Sequence, residues 1–453
     1  MLEIDRATDS SDRARVGFVK VLVFLGLMGL VLMISFFSPY LGATALGLLL
    51  AGLLLGVNLR LATLGLVFLL PFDPQLEVKP GFYLYMDLFF IVPALIYLWK
   101  TAFANLRIRW ASLALGPYVL FAIATSFWRA DNLYWFSGYS VRLVIAVLFM
   151  AVVAGIVQTK TITLALGATL IPQVVYGVYQ LLLGDLGAVY WLIYPHYEKQ
   201  PLIDRAYGFF FQPNNFGGYC AVVSAMLLAL ALRSKAHRQR ILCCVLATFG
   251  FVGVACSGSR GAWLGAAASL AVLFLYSRAS FAARIALVTC IAVVILLATS
   301  IEFAPLTRSA TIDTFTVETR STAYLAGILL FLQNPLTGVG LTNYQVLMPS
   351  VVEWAYDPVA AHNTYLQILS ENGIIGFLLF MGPVFYFFYR NLKMAKESTT
   401  ALLSSAGMTV FLVHGLFDFQ LSTAPQYLLL FAILFGFASV AVVAPATGKE
   451  VEG

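Results

Sequence analysis

Apolar runs long enough to cross a bilayer as helix recur along this chain. The first, Val21 to Phe37, is followed by runs near 41–57, 59–71, 83–99, 111–128, 140–157, 161–183, 215–232, 241–256, 261–276, 283–300, 372–389, 401–417 and 426–444. About 20 apolar residues span the hydrocarbon core as a helix, whereas a barrel strand shows an alternation only about 10 residues long. The expected fold is therefore all-α, a polytopic transmembrane helical bundle of about 12–14 spans with a long, partly helical outside loop. The uncertainty in the count comes from the second and third runs, which are short enough to form one tilted or re-entrant hairpin. Ala43-Thr44-Ala45 imitates a cleavage site, but more apolar sequence follows at once, so the first run reads as an uncleaved span. Composition agrees: 61% of the 453 residues are hydrophobic and 11% charged, against about 25% charged in a soluble domain. The net charge of +6 is that of loops facing a cytoplasm and anionic lipid, and no compact basic module indicates nucleic acid.

Cations divide the connections into two sets. One set holds Arg6, Arg13, Arg15 and Lys20 at the start, then Arg60, Lys100, Arg107, Arg109, Lys160, Arg233, Lys235, Arg238, Arg240, Arg278, Arg284, Arg390, Lys393, Lys396 and Lys449. The other set holds Lys79, Arg129, Arg142, Lys199, Arg205, Arg260, Arg308 and Arg320. The positive-inside rule then predicts that both termini are cytoplasmic. Three regions follow: 1–300, a transmembrane bundle interrupted by an outside loop at about 184–214; 301–371, a large outside loop; and 372–453, C-terminal transmembrane helices. Within the large loop, Ala323 to Leu332 is apolar but too short to span, and predicts a helix lying on the membrane surface or on the bundle. Asn334-Pro335 ends it, and Gly338-Val339-Gly340 reads as a turn. No internal repeat supports an inverted-repeat transporter.

The five cysteines lie in or at the ends of spans and read as packing residues; only Cys220 and Cys256 fall near the outer face, where they could pair. Neither C-x-x-C nor H-E-x-x-H spacing occurs, so no metal site and no cofactor is expected. The stretch that draws attention is His362-Asn363-Thr364-Tyr365-Leu366-Gln367-Ile368-Leu369-Ser370-Glu371-Asn372-Gly373-Ile374-Ile375-Gly376, a polar knot running into an apolar helix. Helical spacing puts His362, Leu366 and Leu369 on one side and Asn363 and Gln367 on another. Two readings stand: ordinary polar caps at an interfacial helix start, or a histidine at the membrane surface acting on a substrate. Three outside arginines divide in the same way. Arg205 lies in Asp204-Arg205-Ala206-Tyr207-Gly208 ahead of Pro213-Asn214-Asn215, Arg260 in Ser257-Gly258-Ser259-Arg260-Gly261-Ala262, and Arg320 in Glu318-Thr319-Arg320-Ser321. Each alone is a snorkelling anchor or ion-pair partner. Together, on a cation-poor side and among Gly, Ser and Asn, they suggest a headgroup-depth site for a diphosphate, which the planar guanidinium fork suits. Tyr190, Trp191, Tyr194, Tyr197 and Tyr207 read either as sugar-stacking rings or as an interface belt.

His362-Asn363 followed after nine residues by Gly373-Ile374-Ile375-Gly376 resembles the periplasmic His-Asn signature of the O-antigen ligase and O-antigen polymerase superfamily. Ser259-Arg260-Gly261-Ala262 is similar to a second segment of that superfamily, Arg205-x-x-Gly with Pro213-Asn214 to a third, and Arg320 with Asn334 to Gly340 to a fourth. The resemblance covers about 200–376. It implies a glycosyltransferase of the bacterial inner membrane with a periplasmic active site. The donor would be a glycan on undecaprenyl diphosphate and the acceptor a sugar hydroxyl of lipid A-core, transferred with inversion and without a metal. His362 would be the general base, with Asn363 or Glu371 as orienter. Arg205 and Arg260, then Arg320, would hold the diphosphate, with Asn214 in support. His196 would be a possible substrate contact; His414 and Asp418 read as structural. Length and the lack of an added soluble domain favour the ligase branch over a polymerase or a protein O-oligosaccharyltransferase.

Two other classes are weighed. A lipid or ion transporter would place ionisable groups near the midplane, whereas here they lie at span ends apart from near-terminal cases such as Asp87. A non-catalytic assembly scaffold stays open, and product formation by purified protein would eliminate it. Arg205→Lys is expected to slow transfer by about 10-fold or more, the equivalent of losing one charge-assisted hydrogen bond. A detergent assay with lipid-linked glycan and lipid A-core measures it, and a wild-type rate would remove the fork argument.

Overall fold

The computed structural model describes residues 59–72, 75–79, 82–85, 90, 91, 93, 94, 97, 111–156, 158–185, 187, 204–277, 314–353, 360–419, 421 and 425–443. The runs expected to span at 21–37, 41–57 and 283–300, together with His196, Cys290 and Arg308, lie outside them. The described helices are α1 (Leu59–Leu69), α2 (Gly116–Ser126), α3 (Leu133–Ile156), α4 (Thr159–Leu183), α5 (Pro213–Arg233) and α6 (His237–Ser257). They continue with α7 (Arg260–Tyr276), α8 (Thr314–Gln333), α9 (Asn343–Val351), α10 (Thr364–Met394), α11 (Thr399–His414) and α12 (Pro425–Val443). Among the described residues, α3, α4, α5, α6, α10 and α12 are long and apolar enough to cross a membrane, with shorter apolar helices at 63–72, 116–126, 260–276 and 399–414. The protein is an all-α polytopic membrane protein.

Two elements depart from the sequence expectation. Residues 83–99 were expected to form a span, but Phe82–Tyr85 is a strand, β2, pairing antiparallel with β1 (Gln75–Lys79). Pro80-Gly81 between them is a strong turn dipeptide, and a hydropathy window that begins at the apolar half of a hairpin hides it. The surface helix expected at 323–332 is α8, which starts at Thr314. Hydropathy marks only its apolar half, although threonine and glutamate continue the same helix. Its Ala323, Ala326 and Leu330 are buried, and it packs along α10.

α5 is the centre of the bundle. Of its apolar window 94% is buried, against 50% for α4, α6 and α10, which keep one face toward lipid. Apolar burial gives no preference for protein over lipid, so close backbone approach by small residues must do the packing. On α6, a Cβ at Gly253 would lie 2.7 Å from Cys220 Sγ of α5. Cys220 and Cys256 are both buried and are free thiols, not a disulfide. Elsewhere aromatic rings fill the seams: Phe431 of α12 stacks between Phe411 of α11 (4.7 Å) and Phe380 of α10 (5.6 Å).

α10 is broken at Gly373 (φ 63°, ψ −171°), a backbone state that residues with a side chain avoid. The break leaves amides and carbonyls without helical partners, and the 334–340 loop supplies them. Val339 N–H donates to Ser370 O (2.9 Å), Gly340 N–H to Glu371 O (2.8 Å), and Ile374 N–H to Pro335 O (2.8 Å). Main chain meets main chain, so no side chain fits. A Cβ at Gly338 would lie 2.2 Å from the carbonyl carbon of Glu371, and one at Gly373 would lie 2.3 Å from that of Leu336. The loop is held in turn by the α2–α3 corner. Arg129 Nη1 donates to Gly338 O and to Thr337 Oγ1 (3.0 Å), Leu341 N–H donates to Ser126 Oγ (2.7 Å), and Asn343 Nδ2 donates to Arg129 O.

Gly338→Ala and Gly373→Ala are each expected to destabilise the fold by about 2–4 kcal/mol, since a clash with backbone cannot relax cheaply. Gly382→Ala, further along α10 with nothing within 4 Å of its Cβ, is expected to be neutral or to stabilise by up to about 1 kcal/mol. Thermal unfolding in detergent compares the three; equal midpoints would remove the interlock.

Candidate functional site

His362 precedes α10 instead of lying on its face. Asn363 is the N-cap, its Oδ1 accepting from the amides of Tyr365 and Leu366 (both 3.0 Å), and His362 sits outside the helix at φ +48°. An N-cap must leave helical geometry, so the expectation that His362 and Leu366 share a helical side is corrected. The segment docks on the turn after α11. Thr364 N–H donates to Gly415 O (2.7 Å), Thr364 Oγ1 to Asp418 O (2.9 Å) and Asn363 Nδ2 to Leu416 O (3.1 Å). In this frame His362 Nδ1 lies 3.3 Å from Asp418 Oδ1. The imidazole is 21% exposed and the carboxylate 4%, so the ring reaches solvent while its partner does not.

Asp418, which the sequence reading left as structural, is thus the carboxylate that meets the histidine. Burial acts to raise its pKa, but the hydrogen bond and charge of His362, with the charges of His414 and Arg320, hold it well below the usual carboxylate range. An ionised carboxylate only accepts hydrogen bonds, so Nδ1 is the donor to Asp418 and Nε2 is the nitrogen turned away from it. Of the two expected orienters, Asn363 is occupied as the cap. Glu371 is buried and accepts from Gln367 Nε2 (2.9 Å) and from the amides of Thr342 and Tyr344.

Arg205 is fixed on the neighbouring helix ends: Nε donates to Ser257 O at the end of α6 (2.8 Å) and Nη2 to Asn214 Oδ1 at the start of α5 (2.6 Å). Arg260 is the first residue of α7, after the N-cap Ser259. Gly261 beside it is in close approach to the turn that carries Asp418: a Cβ there would lie 2.7 Å from His414 Cδ2 and 3.1 Å from Phe417 Cβ. Arg320 lies one turn before Tyr324 on α8, whose hydroxyl sits between His362 O (3.4 Å) and Leu416 O (3.3 Å). Contacts therefore run from Arg205 through the α6–α7 connection to Arg260, then to the 414–418 turn and His362. The N-termini of α5, α7 and α10 all open on this end of the bundle, with their partial positive charge. Positive ends of helices and an imidazole at one end of the bundle are chemistry suited to an anion. Arg233, Arg240, Lys393 and Lys396 lie at helix ends on the opposite side: Arg233 donates to Ala395 O, and Arg240 to Ser234 O (2.9 Å).

Because its folded pKa is depressed, Asp418 stabilises the fold above the unfolded carboxylate value, near 4, and that contribution disappears as pH falls through the lower folded value. Asp418→Asn is therefore expected to lower the unfolding midpoint at neutral pH, with the gap to wild type closing in acid. A gap that stays constant down to acid pH would contradict the ionised pair.

No curated protein matches the chain. Residues 242–381 match the family model described as O-antigen ligase, a segment that includes Arg260, Arg320, His362, Asn363 and Glu371 and leaves Arg205, Asn214 and Asp418 outside. It is in that segment that the chain is similar to the O-antigen ligase family.

Proposed function

We propose that the protein is an O-antigen ligase, a glycosyltransferase that moves a glycan from undecaprenyl diphosphate to a sugar hydroxyl of lipid A-core at the periplasmic face of the bacterial inner membrane. The observation that carries this reading is the His362–Asp418 pair, standing at the same bundle end as Arg205 and the start of α7. A sugar hydroxyl is a poor nucleophile, and a histidine with one nitrogen tied to a carboxylate is a suitable base on the other. In this reading Nε2 of His362 takes the acceptor's proton as the acceptor oxygen bonds to the anomeric carbon. The bond from that carbon to the diphosphate oxygen breaks with its electrons, and the configuration inverts. Charge then builds on undecaprenyl diphosphate, where Arg205, Arg260 and Arg320 meet it without a metal. Asn214 supports Arg205, and Glu371 and Asn363 support the histidine segment.

The same reading orients the molecule. With Arg233, Arg240, Lys393 and Lys396 facing the cytoplasm, the site end is periplasmic and both termini are cytoplasmic. The chain then divides into a bundle over 1–300, a periplasmic loop region over 301–371 that carries α8 and α9, and C-terminal helices over 372–453.

His362→Ala is expected to reduce transfer by more than about 10²-fold while the protein still inserts and binds donor, and EDTA is expected to leave the wild-type rate unchanged. Purified protein with lipid-linked glycan and lipid A-core tests both; near-normal transfer by the variant removes the base assignment. Product sizes separate the branches: a single transferred glycan fits a ligase, and a ladder made from donor alone fits a polymerase.

A further inference from the structure

His362 holds φ at +48°, a region that costs an L-residue about 1–2 kcal/mol and persists only where the surroundings fix it. Its carbonyl is met by the Tyr324 hydroxyl and its ring by Asp418. The residue before it is held, at its own amide, from within α10. Ala361 N–H donates to Gln367 Oε1 (2.7 Å), and Gln367 Nε2 donates to Glu371 Oε1 (2.9 Å). The same carboxylate takes the amides of Thr342 and Tyr344 at the start of α9. Ala361, Gln367 and Glu371 are all buried, so none of these bonds has water as a ready substitute.

The chemistry of the three groups fixes the direction of the relay. A glutamine amide can turn over, exchanging oxygen for nitrogen. Turned over here, it would set its NH2 against the Ala361 N–H and its oxygen against the carboxylate. A backbone N–H only donates, so the amide sits with its oxygen toward Ala361 and its NH2 toward the Glu371 oxygen. We propose that Gln367 and Glu371 are positioning residues, a buried relay that fixes the Ala361 backbone immediately before the left-handed His362 and so aims the imidazole. The relay rests on His362 being the base. It acts on where Nε2 lies, not on donor binding, and misplacing a reacting group by about 1 Å can cost on the order of 10²-fold in rate.

The test uses full-length protein in detergent with undecaprenyl-diphosphate-linked glycan and lipid A-core, His362→Ala being run in parallel. Gln367→Met keeps the side-chain length and removes the acceptor; Gln367→Asn keeps the amide and falls short of both partners. Each is expected to lower kcat by about 10- to 100-fold, with KM for the donor within about threefold. The exchange Gln367→Glu with Glu371→Gln keeps an acceptor toward Ala361 and a donor–acceptor bond between the two positions. It is expected to bring kcat back to within about fivefold of wild type. A folded Gln367→Met or Gln367→Asn with wild-type kcat, or a folded exchange variant as slow as the single variants, overturns the relay. If Gln367→Met does not fold, the comparison of Gln367→Asn with the exchange variant decides. Activity retained by His362→Ala would instead overturn the base assignment, and so the two failures are told apart.

Discussion

Hydrogen-bond satisfaction across the break in α10 is the condition on which the rest of the architecture depends. Inside a membrane protein an orphaned amide or carbonyl costs several kcal/mol, so irregular backbone survives only where other protein groups complete it. At Gly373 the completion comes from the 334–340 loop, which gives amides to Ser370 and Glu371 and a carbonyl to Ile374. The exchange joins α8, α9 and the first turns of α10 into one body. His362 stands at the head of that body, so its position is set by main-chain geometry many residues away.

A second division is electrostatic. At one end of the bundle lie Arg205, bonded to the end of α6, the start of α7 at Arg260, and an imidazole with one nitrogen tied to a buried carboxylate. At the other, Arg233 and Arg240 close helix C-termini by donating to carbonyls, which complements the helix dipole. The first arrangement invites an anion, while the second satisfies itself.

The spans could be read in the sequence because length and apolarity alone decide whether a helix crosses a bilayer, and α4 to α6 begin and end near the bounds those runs suggest, while α3 starts seven residues earlier than its run. The β1–β2 hairpin could not, since its apolar second strand merges with the run that follows. Gly373 was legible as part of the segment that carries the resemblance but not as a break, because only the tertiary partner makes a broken helix tolerable. Asp418 was missed for a similar reason. It lies 56 residues from His362 in a different connection, and the two meet only because α11 ends where α10 begins. A lone carboxylate following an apolar span was the available signal. Asn363 was legible as a cap, and its cap geometry excludes it as the partner of the ring.

The Arg129 clamp has a consequence for biosynthesis. Arg129 and Thr337 are separated by 208 positions, which at typical elongation rates of about 5–20 residues per second means on the order of 10–40 s of translation. Throughout that interval Arg129 has been synthesised and the loop it binds has not. The 334–340 loop, which completes the break in α10, is thus made long after the corner that holds it.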